Sequence, residues 1–301
     1  MSRPRPVFRG QCYLVTRRCS ERRFFLRPDA YVANAYWYCL GWAAQKWNIR
    51  IVAALAMSNH AHEVIVDPDG NYPHFIRDFH ALLARCVNAH RGRWEAFWSG
   101  DQTSMVRLAD EASQLEKLIY VLANPVQDHL VERAHHWPGA TALGAILRRR
   151  PITAVRPRGF FRDEPSGGEM PDVVTINFSQ PPAFETMPAD QFVALVAERI
   201  QAREREAAAT RTSDGTRVVG RKRLLAQSWD DRPESKEPRR NLSPRVAARD
   251  KWRRIEAILR NRVFEMRHRK ARAARVCGYN VPFPLGTWAA AILYGALIEP
   301  A

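Results

Sequence analysis

The order in which two hydrophobic periodicities alternate along residues 11–125 restricts the fold more than any other feature. Gln11 to Arg18 (QCYLVTRR) is rich in β-formers and reads as a strand. Asp29 can cap a helix that runs to about Trp47. Ile49 to Ala56 reads as a second strand and His60 to Val66 as a third, stopped by the turn signal Asp67-Pro68-Asp69-Gly70. Pro73 sits in the first turn of a helix to about Arg91, with Phe75, Phe79, Leu82, Leu83, Cys86 and Val87 at helical spacing. Thr103 to Leu108 is a fourth strand. Asp110 starts a helix with Leu115, Leu118, Ile119 and Leu122 inward, closed by Pro125. The first six elements are β-α-β-β-α-β. That predicts an α+β fold: a ferredoxin-like split βαβ antiparallel sheet with helices on one face.

The texture changes near Leu130. Residues 134–170 are rich in Pro, Gly and Arg, and Val173 to Phe178 could be one more strand. Pro188 to about Ala208 reads as an amphipathic helix. Arg245 to Val276 reads as a basic helix with Trp252, Ile255, Leu259 and Val263 along one side, and residues 282–288 as an ordered loop. The expected division is a core domain over residues 8–140 and a basic, mainly helical C-terminal extension over residues 141–301, a candidate DNA-binding region.

Charge narrows the class of partner. The chain carries 47 Lys+Arg against 31 Asp+Glu, a formal net charge of +16. Each phosphate neutralised by such a surface releases counterions, so a polyanion, nucleic acid above all, is the expected partner, with a merely soluble basic protein as the alternative. The five cysteines (Cys12, Cys19, Cys39, Cys86 and Cys277) form no C-x-x-C pair, and their odd number suggests no disulfide framework. They read as reduced thiols. No stretch approaches the ~20 continuous apolar residues of a membrane span, so a soluble, cytoplasmic protein with no membrane partner is expected.

Two motifs carry chemistry. In His60-Ala61-His62 the histidines are two apart, so on a strand both imidazoles share a face and make a platform for a metal ion. Two incidental histidines on a strand are the alternative. Tyr120 and Asn124 are four apart, on one helix face. A helical tyrosine is commonly a packing residue. Beside a metal it becomes a possible covalent nucleophile, because the ion stabilises charge developing at a bound phosphate. Asn124 could then complete a His-His-Asn set. Glu63 points to the other sheet face and is not expected to ligate. His80 is a spare candidate, read as a surface or core histidine. Arg17, Arg18, Arg22 and Arg23 could hold phosphates, as could Arg221, Lys222, Arg223, Arg239 and Arg240. Trp94, Phe97 and Trp98 could stack bases or pack the core.

Met57-Ser58-Asn59-His60-Ala61-His62, the aromatic loop at Trp94–Trp98 and Tyr120-Val-Leu-Ala-Asn124-Pro125, in that order and spacing, resemble the single-tyrosine HUH transposases. The nearest branch is the REP-associated tyrosine transposases, and the resemblance covers about residues 8–140. It implies that His60, His62 and Asn124 hold a divalent ion, Mg²⁺ or Mn²⁺. It also implies that Tyr120 attacks single-stranded or hairpin DNA, leaving a 5′-phosphotyrosine link and a free 3′-OH that later rejoins strands. Relatives occur as monomers and as homodimers. Imidazole softness favours Zn²⁺ or Mn²⁺, whereas phosphoryl transfer needs exchangeable positions, and Mn²⁺ meets both demands. Ser58 replaces the family's usual Pro and Ala61 a bulkier apolar residue. The C-terminal half looks similar to a longer bacterial group, through the R-R-N-L stretch at Arg239 and the F-P-x-G-T stretch at Phe283, which assigns no site. The competing readings are a non-catalytic nucleic-acid-binding protein on the same fold and a metal-dependent hydrolase using water.

Overall fold

The structure is a computed structural model that describes residues 4–101, 103–158, 170–235 and 245–300. The strands and helices of the first half are β1 (Gln11–Arg18), α1 (Ala30–Lys46), β2 (Arg50–Ala56), β3 (His60–Asp67), α2 (Tyr72–His90), β4 (Ser104–Leu108) and α3 (Glu111–Gln127). Then come α4 (Leu143–Arg148), β5 (Ile152–Val155), β6 (Val173–Ile176), α5 (Ala189–Asp214), α6 (Arg221–Ala226), β7 (Val246–Ala247), α7 (Lys251–Val276) and α8 (Ala289–Tyr294).

The main sheet has the order β2-β3-β1-β4-β7. Its first four strands pair antiparallel, and β7 joins β4 in parallel. This is the split βαβ arrangement: β1 lies between β3 and β4, and β2 lies at the edge. Helices α1 and α2 pack against each other on one face. The Tyr36 hydroxyl of α1 there donates to Glu63 of β3 at 2.8 Å. The seventh element, α3, covers the opposite face, where the Tyr120 ring meets His62 at 5.3 Å between centroids. The alternation of side chains along β3 therefore decides what each residue meets: Ala61 and Glu63 on one side, His60 and His62 on the other.

Helices α1 and α3 both start on aspartate caps. Asp29 accepts from the Val32 amide at 2.8 Å. Asp110 and Ser113 form a reciprocal capping box at the start of α3. Pro125 does not close α3, as the sequence reading expected. It sits inside the last turn, and the helix runs on to Gln127 before Asp128 caps it. A proline that near the end forfeits a single backbone bond, too little to outweigh the burial of Val121, Leu122, Asn124 and Val126.

The edge of β2 does not face solvent. The Ala56 amide donates to the Ala140 carbonyl, the Ala142 amide to the Ala54 carbonyl, and the Ser179 amide to the Ile51 carbonyl. These segments blunt an edge that could otherwise template pairing. The expected division at 140/141 is not marked by a break in packing. One buried cluster runs from Cys12 to Leu224, taking in Val174, Ile176, Phe192, Val196 and Ile200. A smaller one gathers Ala271, Phe283 and Ala296.

The β5–β6 hairpin, of which the sequence suggested only the second strand, lies on α1. A Cβ added to Gly41 of α1 would stand 2.8 Å from the Ile176 side chain and 3.1 Å from that of Val174. Gly41 thus lets a helix and a hairpin approach closely. Gly41→Ala should destabilise the protein in spite of alanine's better helix propensity, which is worth about 1 kcal/mol. Overpacking costs about 1–3 kcal/mol, so a net loss of about 1 kcal/mol is expected, read as a lower urea midpoint at unchanged m-value.

Candidate active site

The site is assembled from one strand end and one helix face. The turn from β2 into β3 is fixed by the Met57 amide on the His60 carbonyl (2.8 Å) and the Cys19 amide on the Asn59 carbonyl (2.8 Å). His60 thus opens β3 at a held position, and His62 follows on the same face. The antiparallel register sets Thr16 opposite His62 and Arg18 opposite His60.

Each imidazole is oriented through its Nδ1. His60 Nδ1 lies 2.7 Å from Asn59 Oδ1. An amide oxygen only accepts, so Nδ1 carries the hydrogen and the lone pair remains on Nε2. His62 Nδ1 lies 2.9 Å from Thr16 Oγ1, and donation to that hydroxyl leaves His62 in the same tautomer. Metal-binding histidines are oriented in this way, by a bond from the ring nitrogen that does not ligate. Burial, with further contributions from His60 and Arg18, holds the His62 imidazolium well below its usual pKa, so the ring is neutral near pH 7.

On α3, Tyr120 is half-buried and Asn124, one turn further, is 3 % exposed. Lys117, one turn before Tyr120, holds its ammonium 5.7 Å from the tyrosine ring centroid and pairs with Glu116 at 3.0 Å. His62 Nε2 and Asn124 Oδ1 are both buried and have no hydrogen-bond partner. A buried polar atom left so costs about 1–3 kcal/mol. Two of them beside one tyrosine call for an explanation, and both are donor types that a divalent ion accepts. The residues present therefore fit a metal. Among the described residues no group of three or more His, Cys, Asp or Glu side chains gathers to hold one, so any ion here would draw its third protein ligand from an amide.

The other sequence candidates separate. Arg18 shares the His60 face. Arg17 points to the α1/α2 face, where it donates to the carbonyls of Asp101 and Ser99. Arg22 binds the carbonyl of Ser235 (2.5 Å), and Arg23 pairs with Asp230 (2.6 Å) and Glu21 (3.2 Å). They tie the loop after β1 to the segment before residue 236 and are not brought to the histidines. Arg221, Lys222 and Arg223 are exposed on α6. That helix is anchored beside the end of α3 by the Val219 and Gly220 amides on the His129 and Leu130 carbonyls. Arg239 and Arg240 lie outside the described residues. Glu63 is fully buried on the other face, its carboxyl pushed up to about 8 by burial. Phe97 is buried, Trp98 donates to the His80 carbonyl, and Trp94 is 88 % exposed. Thr16, Asn59 and Lys117 were missed by the sequence reading. Only Asn59, next to His60, carried a local signal.

His80 is a core residue, 6 % exposed between Phe79 and Trp98. Burial, with a smaller effect of Arg17, pushes its pKa down to about 3. An unfolded histidine titrates near 6.5. The native state must therefore keep His80 neutral, and the resulting stability is whole above about pH 6.5 and drains as pH falls toward 3. A His80→Leu variant should lack that acid sensitivity. Between pH 7 and pH 4.5 the wild type should lose about 3 kcal/mol more than the variant, measured by urea unfolding at each pH.

No protein-family model matches the chain, and no curated protein does. Several solved structures are similar to it, among them two that follow. One is a REP-associated tyrosine transposase bound to a REP hairpin, at 14 % identity and a TM-score of 0.42, covering 56 % of this chain and 92 % of that one. The other is a candidate transposase from Deinococcus radiodurans R1, at 17 % identity and a TM-score of 0.30, covering 40 % and 95 %. Both of these neighbours are described as transposases. Among the described residues, no helix is long and apolar enough to cross a membrane, and all five cysteines are free, with Cys277 alone exposed.

Proposed function

We propose that this protein is a transposase-type DNA strand transferase in which Tyr120 is the nucleophile and His60, His62 and Asn124 hold a divalent ion, Mg²⁺ or Mn²⁺. The observation that carries the reading is the pair of buried, partnerless donors, His62 Nε2 and Asn124 Oδ1, beside the Tyr120 ring. When bound, such an ion supplies Lewis-acid polarisation of a phosphate oxygen. Asn59 and Thr16 hold the imidazoles at fixed tilt, so little reorganisation is needed when the phosphate arrives. Tyr120 Oη forms a bond to phosphorus, and the bond from phosphorus to the 3′ oxygen breaks. The phenol gives up its proton and the departing 3′ oxygen gains one. Return attack by a 3′-OH reverses both changes, so strands rejoin with no external energy source. Lys117, with its ammonium 5.7 Å from the Tyr120 ring centroid, places a cation next to the nucleophile's ring in this reading. Arg18 and the exposed Trp94 offer a phosphate contact and a stacking surface for single-stranded DNA.

The test is a 3′-labelled hairpin oligonucleotide with a single-stranded flank, incubated with Mn²⁺ or Mg²⁺ and with a chelator. A labelled, denaturant-resistant protein adduct is expected only with metal, together with release of a fragment ending in 3′-OH. Salt-sensitive binding without cleavage would indicate the non-catalytic alternative. Turnover without an adduct would indicate water as nucleophile.

A further inference from the structure

A cavity with several charged side chains in its wall lies away from Tyr120, where the N-terminal segment, β1, β4 and α7 meet. It is small, about 30 Å³, and its lining includes Arg5, Tyr13, Tyr72, Arg107, Arg245 and Asn261. Tyr13 alternates with Thr16 along β1, so this cavity belongs to the face opposite the histidines. Three guanidiniums converge here. Arg5 donates to the Thr103 carbonyl at 2.7 Å. Arg245 donates to the Pro4 carbonyl at 3.0 Å and pairs with Glu265 at 2.7 Å. Arg107 has no ion pair among those of the described residues, and its Nε is buried without a partner. The Tyr13 hydroxyl is buried beside the Phe8 backbone and meets no partner at good hydrogen-bond geometry, on a side chain 5 % exposed.

The surrounding charges do not cancel. From α7, Arg260 and Glu256 both face Arg107, and Arg260 repels it. Asp67 lies behind Tyr13 and Tyr72, but its carboxylate is taken up by the amides of Gly70, Asn71 and Tyr72 at 2.8–2.9 Å. Four arginines therefore stand against Glu256 and Glu265 around a hole with room for two or three waters. Guanidinium forks and phenolic hydroxyls are donors suited to one tetrahedral oxyanion.

We propose that this cavity binds a single phosphate group, held by Arg5, Arg107 and Arg245 with the Tyr13 hydroxyl donating to it. Its walls come from three parts of the chain, so an occupant would also fasten α7 to the sheet. Its lining residues Arg107 and Arg245 lie at the β4–β7 edge of the sheet. On the strand-transfer reading, a nucleic-acid strand passing round that edge from the Tyr120 face would bring a phosphate to it. Inorganic phosphate offers the same chemistry.

The experiment measures binding of inorganic phosphate by the full chain, at constant ionic strength against chloride, through calorimetry and thermal unfolding. Wild type should bind phosphate and melt a few degrees higher with it, as mass action requires. Tyr13→Phe keeps the ring packed 4.9 Å from Tyr72, and Arg107→Met keeps the aliphatic stem. Each should weaken phosphate binding by about tenfold or more. Wild-type affinity in both variants, or no effect of phosphate beyond that of chloride, would overturn the proposal. Competition by a single-stranded oligonucleotide separates the sources. Competition by 5′-phosphorylated and 5′-hydroxyl strands alike means a backbone phosphate, by the phosphorylated strand alone a terminal one, and by neither the free anion. Each of the three keeps the phosphate site. Neither Tyr120 nor a metal enters this measurement, so it can fail while adduct formation succeeds, and the reverse.

Discussion

Tyr120→Phe should abolish covalent capture of single-stranded DNA while leaving its binding within about twofold of wild type. The substitution removes one oxygen. The ring stays, with its 5.3 Å approach to His62, so α3 keeps its seat on β2 and β3. Without the phenol there is no atom to bond phosphorus, and the loss in cleavage rate should be about 10⁴-fold or more, the scale seen when a nucleophile is deleted from an assembled site. Fluorescence anisotropy reads the binding and a denaturing gel reads the capture. Retained capture would transfer the nucleophile's role to another side chain.

The second large effect is expected at His62. His62→Ala removes a proposed metal ligand whose side chain is 4 % exposed and has no hydrogen bond at Nε2. Binding of Mn²⁺, followed by calorimetry, should weaken by more than about 100-fold, since disturbing even an orienting partner costs 10- to 100-fold. Thr16→Val, which leaves the ring in place but deletes the 2.9 Å bond to its Nδ1, should fall in that milder range. The stability readout runs the other way. The orphaned nitrogen is itself a cost to the metal-free fold, so His62→Ala should not lower the melting temperature by the 2–5 kcal/mol equivalent usual for an emptied core position. Added Mn²⁺ should raise the melting point of wild type and not that of the variant. Equal Mn²⁺ affinity in wild type and His62→Ala would remove the histidine pair from any metal site.

Much of this centre was legible because it depends on short-range periodicity. Strand alternation puts His60 and His62 on one face and Glu63 on the other, and the helical repeat aligns Tyr120 with Asn124. The same alternation already separated Arg17 from Arg18, yet Arg17, Arg18, Arg22 and Arg23 were grouped by charge. Arg17 faces the α2 side, and a run of adjacent basic residues on a strand cannot all reach one phosphate. Thr16 was hidden for a different reason. Its role follows from the β1–β3 register, a pairing 46 residues apart in sequence, which no local pattern encodes. The cavity at Arg107 depends on contacts that span the chain, from Arg5 to Arg245.

In the C-terminal half, local signals misled where tertiary contacts decide. Ile152 to Val155 lies in a stretch dominated by Pro and Arg and reads as loop, but it pairs with Val173 to Ile176 and is fastened to α1. There the Asn34 side chain exchanges bonds of 2.7 and 3.0 Å with the Val155 backbone. The basic helix was expected from Arg245, but α7 begins at Lys251, because Val246 and Ala247 are drawn into pairing with β4 and Asp250 supplies the cap. The helix expected to end near Ala208 continues to Asp214 and stops at Gly215, whose φ of 68° is the left-handed conformation that favours glycine.

Mass spectrometry of the protein–DNA adduct addresses the tyrosine directly. Digestion with trypsin after nuclease trimming should leave a phosphonucleotide on the peptide Leu118–Arg133, whose single tyrosine is Tyr120. Fragmentation should place the added mass on that residue, in samples prepared with Mn²⁺ or Mg²⁺ and not with chelator. The same mass on another tyrosine, on a serine, or on no peptide while cleaved DNA accumulates would contradict a site in which Tyr120 faces a metal held by His60, His62 and Asn124.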